Sequence, residues 1–125
     1  MLMDTIAPRT MFEEPVDRTD PMPLHDQVAA EIRRAIADGE AGTGERLPSS
    51  ADLAAVLRVN RNTVLRALRI LRDEGVVDFT RGRGVRVTGT AQRSAVITKV
   101  AELLDFARSQ GYRREELLAL IEGLP

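Results

Sequence analysis

Apolar residues recur every four positions at Leu24, Val28, Ile32 and Ile36, directly behind Pro23, and the pattern stops at Gly39. Proline suits a first helical turn and glycine a helix end, so this spacing predicts a helix with one buried stripe. Gly42, Gly44 and Pro48 make the stretch from Glu40 to Pro48 a turn. Ser49, with Asp52 three residues on, supplies a helix cap and an acid in the first turn, and Leu53, Ala54 and Leu57 are the buried side of a short second helix. Only Arg58 and Val59 intervene before Asn60, a capping residue that opens a third helix. There Val64, Ala67, Leu68 and Leu71 fall on one side, and Asn62, Arg66 and Arg69 share the other.

Gly75 ends the third helix. Val76-Val77-Asp78-Phe79-Thr80 and Val85-Arg86-Val87-Thr88 then alternate in strand fashion, joined by Arg81-Gly82-Arg83-Gly84, which has the glycines a hairpin needs. Two helices across a tight connection, followed by a basic hairpin, predict a winged helix-turn-helix, a mainly α fold with a small β-hairpin wing. Beyond Gly89 helical spacing returns at Val96, Val100, Leu103, Leu104 and Ala107 up to Gly111, and again at Leu117, Leu118, Ile121 and Leu124. Two such amphipathic pieces cannot cover each other's apolar faces alone, so they need the winged domain, a second copy of the chain, or both. The organisation expected is a flexible N-terminal arm over 1–21, a DNA-binding domain over 22–88, and a two-helix segment over 89–125.

A chain of 125 residues, 43% apolar and 30% charged, has the make-up of a soluble globular protein with one compact domain and a short appendage. No apolar run reaches the roughly 18 residues needed to cross a bilayer, and Met1-Leu2-Met3-Asp4-Thr5 does not open like a secretion signal, so a cytoplasmic location is expected. The absence of cysteine excludes disulfides and thiolate metal sites. The lone His25, near the start of the first helix, is assigned to structure. Without paired carboxylates, a phosphate loop with a lysine, or an activated nucleophile, neither catalysis nor a cofactor nor a metal is expected.

The net charge of −1 is unpromising for a nucleic-acid binder until it is resolved along the chain. Residues 1–21 hold two arginines against five acids, giving −3, whereas residues 46–86 hold nine arginines against four acids, giving +5. The local field sets attraction to phosphate, and the basic segment is the one with the helix-turn-helix pattern. Arg61, at the start of the third helix, has the reach and the forked geometry to pair with guanine O6 and N7, or else clamps a phosphate or stays a solvated surface arginine. Asn62 suits adenine or serves as a solvent-facing amide, Thr63 suits a phosphate or completes the first turn, and Arg66, ahead of Arg69, is placed to grip the backbone or simply belongs to the charged face of a soluble helix. Asn60 caps the third helix, and Ser49 and Ser50 lie at the start of the second, where capping explains a serine fully and can coexist with phosphate binding. Arg81, Gly82 and Arg83 form a hairpin tip suited to a narrow, strongly negative groove, the alternative being a solvated turn. Leu65 either meets a thymine methyl or extends the edge of the core.

Pro23-Leu24-His25-Asp26-Gln27, Gly39-Glu40, Arg46-Leu47-Pro48-Ser49, Asn62-Thr63-Val64, Glu74-Gly75 and Arg81-Gly82-Arg83-Gly84 together resemble the GntR family of bacterial transcription regulators. Phe106-Ala107-Arg108-Ser109-Gln110-Gly111-Tyr112 and Glu115-Glu116-Leu117 look like the short two-helix C-terminus of its YtrA subfamily. The resemblance implies a homodimer on an inverted repeat of double-stranded DNA, with recognition helices in successive major grooves and wings toward the minor groove. It makes Val96, Val100, Leu103, Leu104, Ala107, Leu117, Leu118 and Ile121 the expected dimerisation residues. It also implies repression of a transport operon, without a separate ligand-binding domain, and leaves a small-molecule effector open. A non-specific architectural DNA binder and a protein-docking adaptor are the competing readings. Two departures stand out. Ser50 and Ala51 occupy positions where the family commonly has glutamate or valine and then arginine, so a familiar DNA contact is lost at Ala51. Leu65-Arg66 replaces the arginine many relatives carry at the first of these positions, which agrees with the short subfamily.

Overall fold

The computed structural model describes residues 16–80 and 84–125. Most of the arm, residues 1–15, and the hairpin tip Arg81, Gly82 and Arg83 lie outside them. Among the described residues the elements are α1 (Leu24–Ala37), α2 (Ser50–Leu57), α3 (Arg61–Asp73), β1 (Val77–Thr80), β2 (Gly84–Val87), α4 (Ala91–Ser109) and α5 (Arg114–Gly123). They fall into two compact units, one ending at Ala95 and one running from Val96 to Pro125. The mainly helical winged fold expected from the sequence is the one observed.

In the first unit the buried stripes of the three helices converge. Val28, Ile32 and Ile36 of α1, Leu53 and Leu57 of α2, and Val64, Ala67, Leu68 and Leu71 of α3 are all buried, whereas Leu24 and Ala54 are half-buried. Val76, Val77 and Val87 bring the hairpin into the same core. The strands are antiparallel, with Val77 opposite Val87, Asp78 opposite Arg86, Phe79 opposite Val85 and Thr80 opposite Gly84. Phe79 is exposed, and Arg72 of α3 lies over its ring at 5.1 Å, a cation–π contact.

Three features depart from the sequence reading. First, the stretch from Glu40 to Pro48 is more than a turn: Leu47 N donates to Val85 O (2.8 Å), Val87 N to Glu45 O (2.9 Å) and Gly44 N to Val87 O (2.7 Å), so its end lies along β2. Two glycines and a proline conceal this pairing because they break strand alternation. Second, residues 16–21, read as part of a flexible arm, are tied down. Asp17 N donates to Gln27 Oε1 (3.0 Å), and Gln27 Nε2 donates to Asp17 O and Met22 O (2.9 Å each). A short polar segment gives no apolar period to read, and Gln27 of α1 is one of the groups that hold it. Third, α1 and the C-terminus of α3 are joined by a forked pair in which Arg33 Nε and Nη2 donate to Glu74 Oε1 (3.0 Å) and Oε2 (2.8 Å). Arg33 is buried, so the carboxylate supplies the partner its charge requires.

Two glycines shape the exit from α3. Gly75 turns the chain with φ 76°, which side chains rarely tolerate. Gly89 leaves room for a close pass, since a Cβ there would stand 3.0 Å from Gly75 O and 3.1 Å from Val76 Cα. Arg93, in the first turn of α4, donates from Nε (2.9 Å) and Nη2 (2.7 Å) to Glu74 O, one of the carbonyls left free at the end of α3.

In the second unit α5 opens with Arg113 N donating to Glu116 Oε1 (2.9 Å), the acid half of a capping box. Ala107 and Leu117 are buried, Leu104 is half-buried, and Val96, Val100, Leu103, Leu118 and Ile121 are exposed.

Candidate nucleic-acid interface

The candidate surface lies at the junction of α2 and α3. Ser49 Oγ accepts from Asp52 N (3.1 Å) and fixes the start of α2. Asn60 Oδ1 accepts from Asn62 N (2.7 Å) and does the same for α3, as both capping assignments anticipate. Between the helices Arg58 adopts the left-handed conformation, φ 58°, and its N–H closes on Ala54 O. That single residue reverses the chain within three positions and brings the two helix starts onto one side.

Arg61 Nε donates to Ser50 Oγ (3.1 Å), a bond from the first turn of α3 to the first turn of α2. Arg61 therefore stands beside two helix N-termini, whose free N–H groups and dipoles favour an anion. Arg61, Asn62, Arg66 and Arg69 are exposed, Thr63 and Leu65 are half-buried, and Asn60 and Ser49 are exposed caps. Among the described residues no carboxylate pairs with Arg61, Arg66 or Arg69, in contrast to Arg34 on α1, which Glu31, Asp38 and Glu40 surround at 2.8 to 2.9 Å. Those contacts, Glu31's first, push the Arg34 guanidinium up, and the Arg34 hydrogen bond holds the Glu40 carboxyl below its ordinary range. Among the described residues, Arg61, Arg66 and Arg69 on the outer face of α3 thus keep their charge without a carboxylate partner, while that of Arg34 on α1 is neutralised locally.

The expected site residues that the structure brings together are Ser49, Ser50, Asn60, Arg61, Asn62, Thr63, Arg66 and Arg69. Sequence reasoning treated Ser50 as a cap or phosphate contact and missed its bond to Arg61, which depends on the angle between two helices. It also did not anticipate the bond from Arg86 Nη1 to Gly44 O (3.0 Å), which ties the paired strands together.

The family model for bacterial regulatory proteins of the gntR family matches residues 24–87, just over half of the chain. The chain belongs to the GntR family. Residues 24–87 form a GntR-type domain, and the relatives are named as regulators of transcription, not as enzymes. It is 29% identical over 85 residues to the HTH-type transcriptional repressor YtrA of Bacillus subtilis, covering 68% of this chain and 65% of that protein. It is 32% identical to the regulator GgaR of Escherichia coli over 66% of this chain but only 34% of that protein. The chain thus spans less than two thirds of the length of these curated relatives. Among solved structures, YtrA from Sulfolobus acidocaldarius superposes with a TM-score of 0.57 at 32% identity, over 72% of this chain and 95% of that one. The DNA-binding domain of AraR, solved with its operator, gives 0.53 at 26% identity over 59% and 88%. No helix among the described residues is long and apolar enough to cross a membrane.

Proposed function

We propose that this GntR regulator binds an inverted repeat as a homodimer and represses a transporter-type operon in the bacterial cytoplasm. The observation that carries the reading is the outer face of α3: Arg61 held by Ser50, and Arg66 and Arg69 exposed without a carboxylate partner among the described residues. In this reading Arg61 reads a guanine, Asn62 an adjacent base, and Thr63, Arg66 and Arg69 hold the backbone together with the α2 start at Ser49 and Ser50. Arg81, Gly82 and Arg83 serve the minor groove. Repression follows the name of the Bacillus subtilis relative, and operator binding follows the AraR complex. The exposed apolar residues of the second unit, Val96, Val100, Leu103, Leu118 and Ile121, supply the dimer contact, with Leu104, Ala107 and Leu117 supporting it from within.

Selection of bound duplexes from a random pool tests the reading. One palindromic consensus is expected, with half-sites about 34–36 Å apart or a multiple of this. Arg61→Ala should weaken the selected duplex by about tenfold or more and relax one base position. Equal affinity for all duplexes with a steep salt dependence would instead identify an architectural DNA binder. A monomer in sedimentation, with and without the selected duplex, would overturn the dimer and favour the docking-adaptor reading.

A further inference from the structure

The segment ahead of α1 makes a contact outside the family match, which begins at residue 24. Its base is built on Gln27, as described above, and stiffened by local bonds. Thr19 N and Oγ1 donate to Asp17 Oδ1 (2.9 and 2.6 Å), and Met22 N donates to Asp20 Oδ1 (2.9 Å). From this base Val16 N donates to Leu57 O (3.4 Å), and the Arg18 guanidinium donates through Nη2 to Arg58 O. Leu57 is the last residue of α2 and Arg58 its C-cap, so both carbonyls belong to the set that a helix cannot satisfy internally. The last turn of α2 has no basic residue of its own, and Arg18 supplies the cation that a helix C-terminus favours. The carbonyl it holds is that of Arg58, the one non-glycine residue with positive φ among the described residues. Such a conformation persists where its surroundings over-determine it.

We infer that Arg18 is a positioning residue for DNA reading: it pins the Arg58 carbonyl and so fixes the three-residue turn from which α3 starts. The dependence runs through named atoms. Arg58 sets the reversal, Asn60 two residues later caps α3 through Asn62 N, and Arg61 reaches back to Ser50. A loosened turn lets the α3 start move relative to α2, which spoils base geometry before it spoils general attraction to phosphate. The inference rests on the reading that α3 enters the duplex.

The test uses the full chain and its Arg18→Ala and Arg18→Lys variants, with two measurements. The first is amide hydrogen exchange at Val59 and Asn62 without DNA, because these amides bond Ala54 O and Asn60 Oδ1 on either side of the turn. The second is affinity for the selected duplex and for a scrambled one across a salt series, well below the melting temperature. Arg18→Ala should speed both exchanges and weaken the selected duplex by about tenfold and the scrambled one by less than about twofold, with an unchanged salt slope. Arg18→Lys, which keeps the cation, should recover most of the loss. Unchanged exchange, or unchanged affinity for the selected duplex, would overturn the inference. So would an equal loss on both duplexes with a salt slope smaller by about one, because Arg18 would then be a phosphate contact itself. Should Arg18→Ala fail to fold, Arg18→Gln, which keeps donors and loses the charge, takes its place. A wild-type chain that prefers no duplex would sink the functional reading, and the exchange data would still decide whether Arg18 holds the turn.

Discussion

In the unit ending at Ala95, Ile32, Leu53, Leu68 and Leu71 are each 1% exposed or less; in the unit from Val96 to Pro125, Val96 and Phe106 are 62% exposed and Leu124 70%. Both regions carry helices with apolar residues at helical spacing, more sharply segregated to one face in α1 and α3 than in α4 and α5. The difference lies in how many faces meet. Three helices and a hairpin close around one core, so every apolar stripe in the first unit has a partner. In the second unit Ala107 and Leu117 are the buried apolar residues, and many large side chains stay exposed. The proposed dimer would cover this surface. Amphipathicity therefore announces that a face must be covered, and it leaves open whether the cover comes from the same chain.

Truncating one buried and one exposed leucine breaks or sustains this contrast most directly. Leu68→Ala should lower unfolding free energy by about 3 kcal/mol in urea denaturation. Leu103→Ala should change monomer unfolding by about 0.5 kcal/mol or less. Equal losses would mean that the second unit has a core of its own. Next in size, Leu103→Glu should weaken self-association by on the order of 30-fold in sedimentation equilibrium while leaving the melting of the first unit in place. Within the first unit, Glu74→Gln removes the charge that faces buried Arg33 and should cost about 2 kcal/mol of stability, measured by chemical denaturation. A smaller effect, about 1 kcal/mol, is expected for Asn60→Ala, which strips the α3 cap, and DNA affinity should fall with it.

The smallest expected effect is a pH dependence at the surface of the first unit. The Glu40 carboxyl is held below its ordinary value by the Arg34 hydrogen bond, so the folded state binds its proton less readily than the unfolded state. The stabilisation is complete above the ordinary carboxyl value, about 4.3, and disappears as pH falls through the lowered value. Urea midpoints of wild type and Glu40→Gln should therefore differ at neutral pH and converge in acid. A gap that widens in acid would contradict the assignment.

The legible parts of this protein were those with a period or a cap. The four-residue repeat of α1, the caps at Ser49 and Asn60, the two-sided α3 and the glycine at its exit all appear in the structure where spacing and residue type place them. So does the exposed set Arg61, Asn62, Arg66 and Arg69, because a helix that buries Val64, Ala67, Leu68 and Leu71 has its other face outward. Contacts between residues far apart in the chain were not legible. Arg33 with Glu74, Arg61 with Ser50, Arg93 with Glu74 O, and Gln27 with the segment at Asp17 join positions that no local pattern links. The pairing of residues 44–47 with β2 escaped for the same reason, since a strand pair is fixed by its partner and not by its own few residues.

Sequence alone determined which faces of the helices must be hidden, where the helices begin, and that positive charge gathers between Arg46 and Arg86. These follow from side-chain chemistry and the pitch of the helix, which act within a turn or two. Tertiary structure decided which of those charges are neutralised, which side chain steadies Arg61, and which apolar faces are covered within the chain. Such outcomes depend on the distance and angle between elements, and those are set only when the whole core closes.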